Sequence, residues 1–383
     1  MAFAMFWEIL WALILGFAIS AAIQAVVSTK EMARLLGDDR PKTLAVACGL
    51  GAASSSCSYA AVAIARSLFR KGANFTAAMA FELSSTNLVV ELCAIMIVLL
   101  GWQFAAAEFL GAPIMIALLA LMFRRFLSQR LVSEAKRQAD KGLAGRMEGH
   151  AAMHMAVTEG PLLKRALSPQ GRTAISHYFV MDWASVWVDV VVGLLIAGAL
   201  GTLVPRGFWD AFFLSGHPAL AKLWGPVVGP IVAVVSFVCS IGNVPLAAAL
   251  WNGGISFGGV IAFIFADLII IPILDIYRRY YGMRMAWFLA VTSYVAMAAA
   301  ALVVELIFGA LGLVPTARSA RALETAITWN YTTMLNIVFL ALAALLLIRF
   351  FRTGGPAMLR AMNAPADHGT HSHTHSHPHS HTR

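Results

Sequence analysis

Seven uninterrupted apolar runs, at residues 3–27, 74–100, 104–126, 178–203, 256–277, 285–313 and 331–351, dominate the chain. Each is longer than the roughly 20 residues an α-helix needs to cross a ~30 Å hydrocarbon layer. A helix buried in a water-soluble core seldom needs so many apolar residues in succession. Lipid is therefore the solvent of most of this sequence. The composition agrees: 60% of the 383 residues are hydrophobic and 12% charged, against roughly a quarter charged in soluble domains. The first run lacks a basic leader, carries Glu8 and is long for a cleaved signal, so it is expected to stay as the first helix. The net charge of +9 does not point to nucleic acid, because Lys and Arg sit almost entirely between the apolar runs, where membrane topology places them. Cys48, Cys57, Cys93 and Cys239 fall in apolar stretches and form no extracellular disulfide framework.

Two further apolar segments, 43–69 and 223–251, are broken midway by Ser54-Ser55-Ser56-Cys57-Ser58 and by Cys239-Ser240-Ile241-Gly242-Asn243-Val244-Pro245. Each either crosses the membrane or turns back within it. Basic residues decide between the two, since loops rich in Lys and Arg stay cytoplasmic. If both segments cross, the 28 basic residues divide 13 against 15. If both are re-entrant and the N-terminus is outside, the clusters at 30–42, 66–71, 124–172, 278–284 and 349–383 place 24 inside. Only Arg206, Lys222, Arg318 and Arg321 are then outside. The second division predicts two re-entrant hairpins and a cytoplasmic C-terminus.

Displacing the chain by 182 residues superposes the two broken segments without a gap. Ser54, Cys57, Ser58, Val62, Ala65, Leu68, Gly72, Phe75, Ala80, Phe81 and Leu92 meet identical residues, which makes 11 identities in 39 positions. About three are expected by chance. With one hairpin entered from each side, the expected fold is all-α: a polytopic transmembrane bundle of two inverted repeats, each holding a broken, re-entrant hairpin whose tip lies near the midplane. The expected organisation is a first transmembrane half at 1–126, a charged cytoplasmic linker at 127–175, a second half at 176–313, a loop and final helix at 314–352, and a low-complexity cytoplasmic tail at 353–383. The protein is placed in the cell membrane as a multi-pass protein with the lipid bilayer as its first partner; a homo-oligomer is compatible with this plan.

Backbone without helical hydrogen bonds persists at membrane depth only where protein or water satisfies it, so the broken segments are expected to line a pathway. Cys57, Ser58, Cys239, Ser240 and Asn243, with Ser84 and Asn87 on the following helix, are the candidate substrate contacts. Gly72, Gly242, Pro245 and Gly254 are the candidate hinges. Ionisable groups inside a membrane usually serve ions or protons, and the apolar runs hold Glu82, Glu91, Glu108, Asp182, Asp189 and Asp267 with almost no opposing charge but Arg66. Glu82, Asp182, Asp189 and Asp267 are the candidate proton or cation relay. Asp182 and Asp189, seven residues apart, share a helix face. Glu8, Asp275 and Glu305 are expected near interfaces or as helix caps. The paired Cys57 and Cys239 could present soft ligands to a soft ion or a trivalent arsenical. In the tail, His368, His371, His373, His375, His377, His379 and His381 alternate with Ser, Thr, Gly and Pro, a tract suited to zinc, nickel, cobalt or copper. No cofactor is otherwise required.

The blocks Cys57-Ser58-Tyr59-Ala60-Ala61-Val62, Arg70-Lys71-Gly72 with Phe81, Cys239 through Ala247, and Gly253-Gly254 resemble the ArsP-like predicted permeases over most of residues 1–350. The resemblance implies a membrane permease, with efflux of trivalent organoarsenicals as the activity attached to ArsP-type members. It carries over to Cys57, Ser58, Cys239, Ser240, Gly242, Asn243 and Pro245. The expectation is a non-enzymatic secondary efflux permease for a small soft substrate, coupled to protons. A divalent-metal permease or permease subunit using the histidine tail is the first alternative. A membrane thiol oxidoreductase is the second, disfavoured because no CxxC pair occurs. No Walker-type glycine loop is present, so ATP drive would need a partner.

Overall fold

The computed structural model describes residues 2–26, 33–55, 58–140, 155, 157, 161–203, 206–214, 216–236, 240–318 and 331–363. Among them the secondary structure is entirely helical. The helices are α1 (Ala2–Gln24), α2 (Pro41–Ser54), α3 (Ser58–Arg70), α4 (Phe75–Asn87), α5 (Val90–Leu99), α6 (Trp102–Phe126) and α7 (Gln129–Ala139). After the linker come α8 (Leu162–Leu167), α9 (Pro169–Leu203), α10 (Arg206–Phe212), α11 (Pro218–Ser236), α12 (Ser240–Asn252) and α13 (Phe257–Phe265). A 3-10 turn (Ala266–Leu268) leads to α14 (Ile271–Tyr281), α15 (Met283–Ala310), α16 (Tyr331–Arg352) and α17 (Gly355–Asn363). Six described stretches are long and apolar enough to cross a membrane: Phe75–Leu99, Trp102–Phe126, Ala219–Ser236, Phe257–Tyr281, Met283–Ala310 and Thr333–Arg352. The protein is a multi-pass helical membrane protein.

The 182-residue displacement read in the sequence reappears in the helix boundaries. Adding it to Ser58–Arg70 gives Ser240–Asn252; adding it to Phe75–Asn87 gives the interval filled by α13 and the 3-10 turn; α6 maps onto α15 within two residues at each end. The turns repeat as well. Gly72 (φ 103°) and Gly254 (φ 106°) adopt the left-handed conformation that glycine tolerates. The Ala73 amide donates to the Leu68 carbonyl at 3.0 Å, as the Ile255 amide does to Leu250 at 3.2 Å. Asn74 and Ser256 are the equivalent N-caps, the first accepting from Thr76 and Ala77 and the second from Gly259.

Each broken segment returns to the end it left. The Asn74 amide donates to the Leu36 carbonyl at 2.7 Å, Arg124 pairs with Asp39 at 2.9 Å, and Arg70 lies 3.8 Å from Asp140, so both feet of the α2–α3 hairpin meet the α6–α7 corner. The α11–α12 hairpin also closes on itself, with Lys222 and Asn252 lining one cavity. That cavity includes Glu305 in the C-terminal part of α15 and Val314 and Arg318 just beyond its end. Arg284, at the N-terminal end of α15, faces Glu134 of α7 at 3.8 Å. A 28-residue helix is about 42 Å long, so the two hairpins open at opposite ends of the molecule. Packing between the halves is reciprocal: α1 meets α9, α6 meets α15, α3 meets α14 and α12 meets α5. Helix α7 spans the halves, with Lys136 donating to the carbonyls of Phe69 and Arg70 and Gln138 to that of Arg279.

Two runs expected as continuous helices are broken. Run 74–100 divides at Leu88–Val89, where Ser84, Ser85, Thr86 and Asn87 bond back to carbonyls three or four residues earlier and loosen the last turn of α4. Run 256–277 divides at 266–270, because Pro272 lacks the amide needed to continue a helix and starts α14 instead. Apolar side chains such as Trp187, Leu195, Trp287, Val291, Leu306, Val338 and Leu345 project outward from α9, α15 and α16, where lipid rather than water is the neighbour.

Close helix packing depends on small residues. A Cβ at Gly51 would run into Ser84 Oγ and the Phe81 carbonyl oxygen, and one at Gly229 into the Gly259 carbonyl; one at Gly49 meets nothing within 4 Å. Gly51→Ala is therefore expected to destabilise the protein by about 1–3 kcal/mol through overpacking. Gly49→Ala, in the same helix, should be neutral or stabilising by roughly 0.5–1 kcal/mol. Thermal unfolding in detergent distinguishes the pair.

Candidate functional site

The tip of the first hairpin is held from both sides by buried polar groups. Helix α2 ends at Ser54, and Ser55 takes a left-handed conformation (φ 39°), which leaves carbonyls at the tip without helical partners. Ser20 of α1 approaches them, its hydroxyl 2.9 Å from Ser54 O and 2.6 Å from Ser55 O. Gln24, one turn on, donates its amide to Ser20 Oγ at 2.9 Å and to Asp182 Oδ2 of α9 at 3.2 Å. The Ser55 hydroxyl donates to Glu91 Oε1 at the start of α5. Elements α1, α2, α5 and α9 thus converge on one cluster.

Three residues past Ser55, the first turn of α3 meets the second half. The Ser58 hydroxyl donates to Asp267 Oδ2 at 2.8 Å, a contact across 209 residues of sequence. Asp267 sits in the 3-10 turn, fully buried, within electrostatic range of Glu82 and Glu108. Tyr277 of α14 donates its hydroxyl to Glu82 Oε1. Among the described residues, Asp267 Oδ1, Glu82 Oε2, both oxygens of Glu108, Asn87 Oδ1 and both polar atoms of the Asn243 side chain are buried without a hydrogen-bond partner. Buried polar atoms are ordinarily satisfied, so these unpartnered oxygens and amide atoms make this region the candidate site. Arg66 is the only buried Lys or Arg among the described residues. It sits at the hairpin base, donating to Ala139 O at 2.7 Å and lying 4.2 Å over the Tyr280 ring. The interior is accordingly acidic.

The sequence-nominated residues divide three ways. Ser58, Glu82 and Asp267 come together at the first tip, and Asp182 joins the adjoining Ser20 cluster. Asn243 is buried in α12 beside Gly242, with Pro245 inside the same helix, and Gly72 and Gly254 form the turns that close the hairpins. Ser84 faces the α2 packing seam, its hydroxyl 2.9 Å from Phe81 O, and Asn87 donates to Leu83 O at 2.9 Å. Cys57, Cys239 and the seven histidines from His368 to His381 lie outside the described residues, as do the side chains of Ser240 and Asp189. No cluster of three or more His, Cys, Asp or Glu suited to a metal occurs among the described residues. Asp275 is half-exposed and pairs with Arg278 and Arg279, while Glu305 accepts from the Gly258 amide and caps α13.

Sequence reasoning passed over Ser20, Gln24 and Tyr277. Ser20 and Gln24 did carry a signal: they are polar residues four apart on one face of an apolar helix. Tyr277 carried none, because its partner is 195 residues away.

Residues 1–306 match the model of the ArsP_1 family, described as a predicted permease. A Mycobacterium tuberculosis protein named "Putative permease Rv2963" is 62% identical to this chain over 348 residues, covering 90% of this chain and 86% of that protein. No solved structure matches.

If Tyr277 and Glu82 act as one unit, Tyr277→Phe and Glu82→Gln are non-additive. A double-mutant cycle on thermal stability is expected to give a coupling of about 0.5–3 kcal/mol. Additive effects would mean that the contact is incidental.

Proposed function

The chain belongs to the ArsP_1 family of predicted permeases, and from that premise we propose that this membrane permease is a secondary efflux transporter whose path runs past the hairpin tips between two inverted halves. The observation that carries the reading is the pair of tip contacts, Ser55 to Glu91 and Ser58 to Asp267. One half-spanning hairpin is fastened on both sides to carboxyl groups that can gain or lose a proton. Protonating a carboxylate changes what it can accept or donate, so proton exchange at Asp267 bears directly on where the tip sits, and Glu82 acts on it through Asp267. Asp182 of α9 joins the cluster at the tip, and Asp189 follows it by seven residues in the sequence. The N-terminus is placed outside the cell membrane and the C-terminal tail in the cytoplasm, which puts the basic clusters around α7 on the inner face.

For the cargo, the thiols of Cys57 and Cys239 precede the first residues of α3 and α12 at repeat-equivalent positions and suit a soft, thiol-reactive solute such as a trivalent arsenical. Ser58, Ser240 and Asn243 complete that site. A neutral arsenical does not require acids, so the carboxyl groups are assigned to coupling. The alternating histidines from His368 to His381 favour a second reading, in which the tail delivers zinc, nickel, cobalt or copper.

Inside-out proteoliposomes test both. With the lumen acidic, methylarsenite uptake is expected to accelerate, and Glu82→Gln or Asp267→Asn to lower the gradient-driven component by at least about tenfold. The Cys57→Ser/Cys239→Ser pair should remove it. Full flux in these variants contradicts the coupling and soft-ligand roles. Divalent-cation flux lost on deleting residues 365–383 would establish the metal reading instead.

A further inference from the structure

The repeat continues past the block in which sequence identity is visible. Lys136, on α7, donates to the carbonyls of Phe69 and Arg70 at 2.8 Å each, and its ammonium lies 5.1 Å from the Phe69 ring centroid. It also stands 3.8 Å from Asp140. Displacing these positions by 182 gives Arg318 and Trp251. Arg318 Nη1 donates to the carbonyls of Trp251 and Ile255 at 2.9 Å each, and its guanidinium lies 4.4 Å over the Trp251 ring. A cation in each half therefore makes the same two interactions with the equivalent residue at the end of the hairpin's second arm. The match is not inherited from local structure, since Lys136 projects from a helix and Arg318 from a segment outside any helix.

The chemistry fits a clasp. Carbonyls at a helix end carry partial negative charge; Phe69 O and Trp251 O already accept from the turn amides of Gly72 and Gly254 at 3.1 Å, so a cation there adds a second, charge-assisted bond and offsets the dipole. The aromatic face adds a cation–π contact. The two clasps sit at opposite ends of the molecule and differ in their surroundings. At the first, α7 covers the hairpin base, with Arg66 reaching back to Ala139. At the second, a cavity of about 570 Å3 remains open between Lys222, Asn252, Glu305 and Arg318.

We propose that Lys136 and Arg318 are repeat-related positioning residues for transport, each holding the base of one hairpin so that its arm moves only when the clasp is released. This rests on the permease reading given above, and it deepens it by naming what secures each hairpin. Hydrogen–deuterium exchange on the full-length protein in nanodiscs tests it without any cargo. Lys136→Met should speed exchange of amides 67–73 about tenfold and leave 249–255 unchanged, and Arg318→Met should do the reverse. Lys136→Arg and Arg318→Lys should restore the wild-type rates. Arg318 is exposed and Lys136 half-buried at the edge of the bundle, so neither substitution opens the core; should a Met variant fail to fold, the Gln variant carries the same expectation. Unchanged exchange, or equal acceleration in both hairpins, would overturn the proposal. Flux failure with a normal clasp response would instead reject the permease reading alone.

Discussion

A helix that stops in the middle of a membrane exposes backbone groups that lipid cannot satisfy, and the rest of this structure follows from how that problem is met. At the first hairpin tip the relief is local and polar: Ser20 approaches the Ser54 and Ser55 carbonyls, and the flanking hydroxyls of Ser55 and Ser58 reach Glu91 and Asp267. These contacts draw α1, α5 and α9 to one side of the tip and the 3-10 turn of the second half to the other. The breaks at 88–89 and 266–270 belong to the same arrangement, since a continuous helix in either place would carry Glu91 or Asp267 to a different height and azimuth.

Repetition supplies the scaffold, and departures from it supply the chemistry. Caps, turns, hairpin arms and the Lys136 and Arg318 contacts all recur at 182 residues. None of the buried acids in the two repeated blocks does: Glu82 corresponds to Ile264, Glu91 to Ile273, Glu108 to Ala290, Glu305 to Phe123 and Asp267 to Ser85. Arg66 corresponds to Ala248. Symmetry at the level of helices lets the two halves pack reciprocally. Asymmetry at the level of charge concentrates the unpartnered carboxyl oxygens around one tip.

Much of the fold was legible because its determinants are periodic or additive. Apolar run length gave five of the six described candidate spans, the sixth, Ala219–Ser236, lying in a segment read as broken; the partition of Lys and Arg favoured hairpins that return, and the displacement of Cys57-Ser58 onto Cys239-Ser240 located both. The described contacts of Asp39, Arg70 and Asn74 put the feet of the first hairpin together, as the charge pattern required. The helix breaks were harder, since Ser84 to Asn87 look like pathway residues until their hydroxyls and amide are seen bonding back along α4. Long-range pairs such as Tyr277 with Glu82 leave no mark in a single sequence. The relation of Lys136 to Arg318 is of the same kind: only a positive charge is shared, and its meaning depends on the carbonyls each one reaches.

The proposed transport path requires two hairpins that each return to the face they entered and that open on opposite faces of the membrane. Sided labelling of single cysteines by a membrane-impermeant maleimide, in a background lacking Cys48, Cys57, Cys93 and Cys239, tests it most directly. Cysteines at Lys42 and Lys71 should react only from the cytoplasm, and those at Lys222 and Asn252 only from outside. Reaction of Lys42 and Lys71 from opposite sides, or of all four positions from one side, would contradict the account.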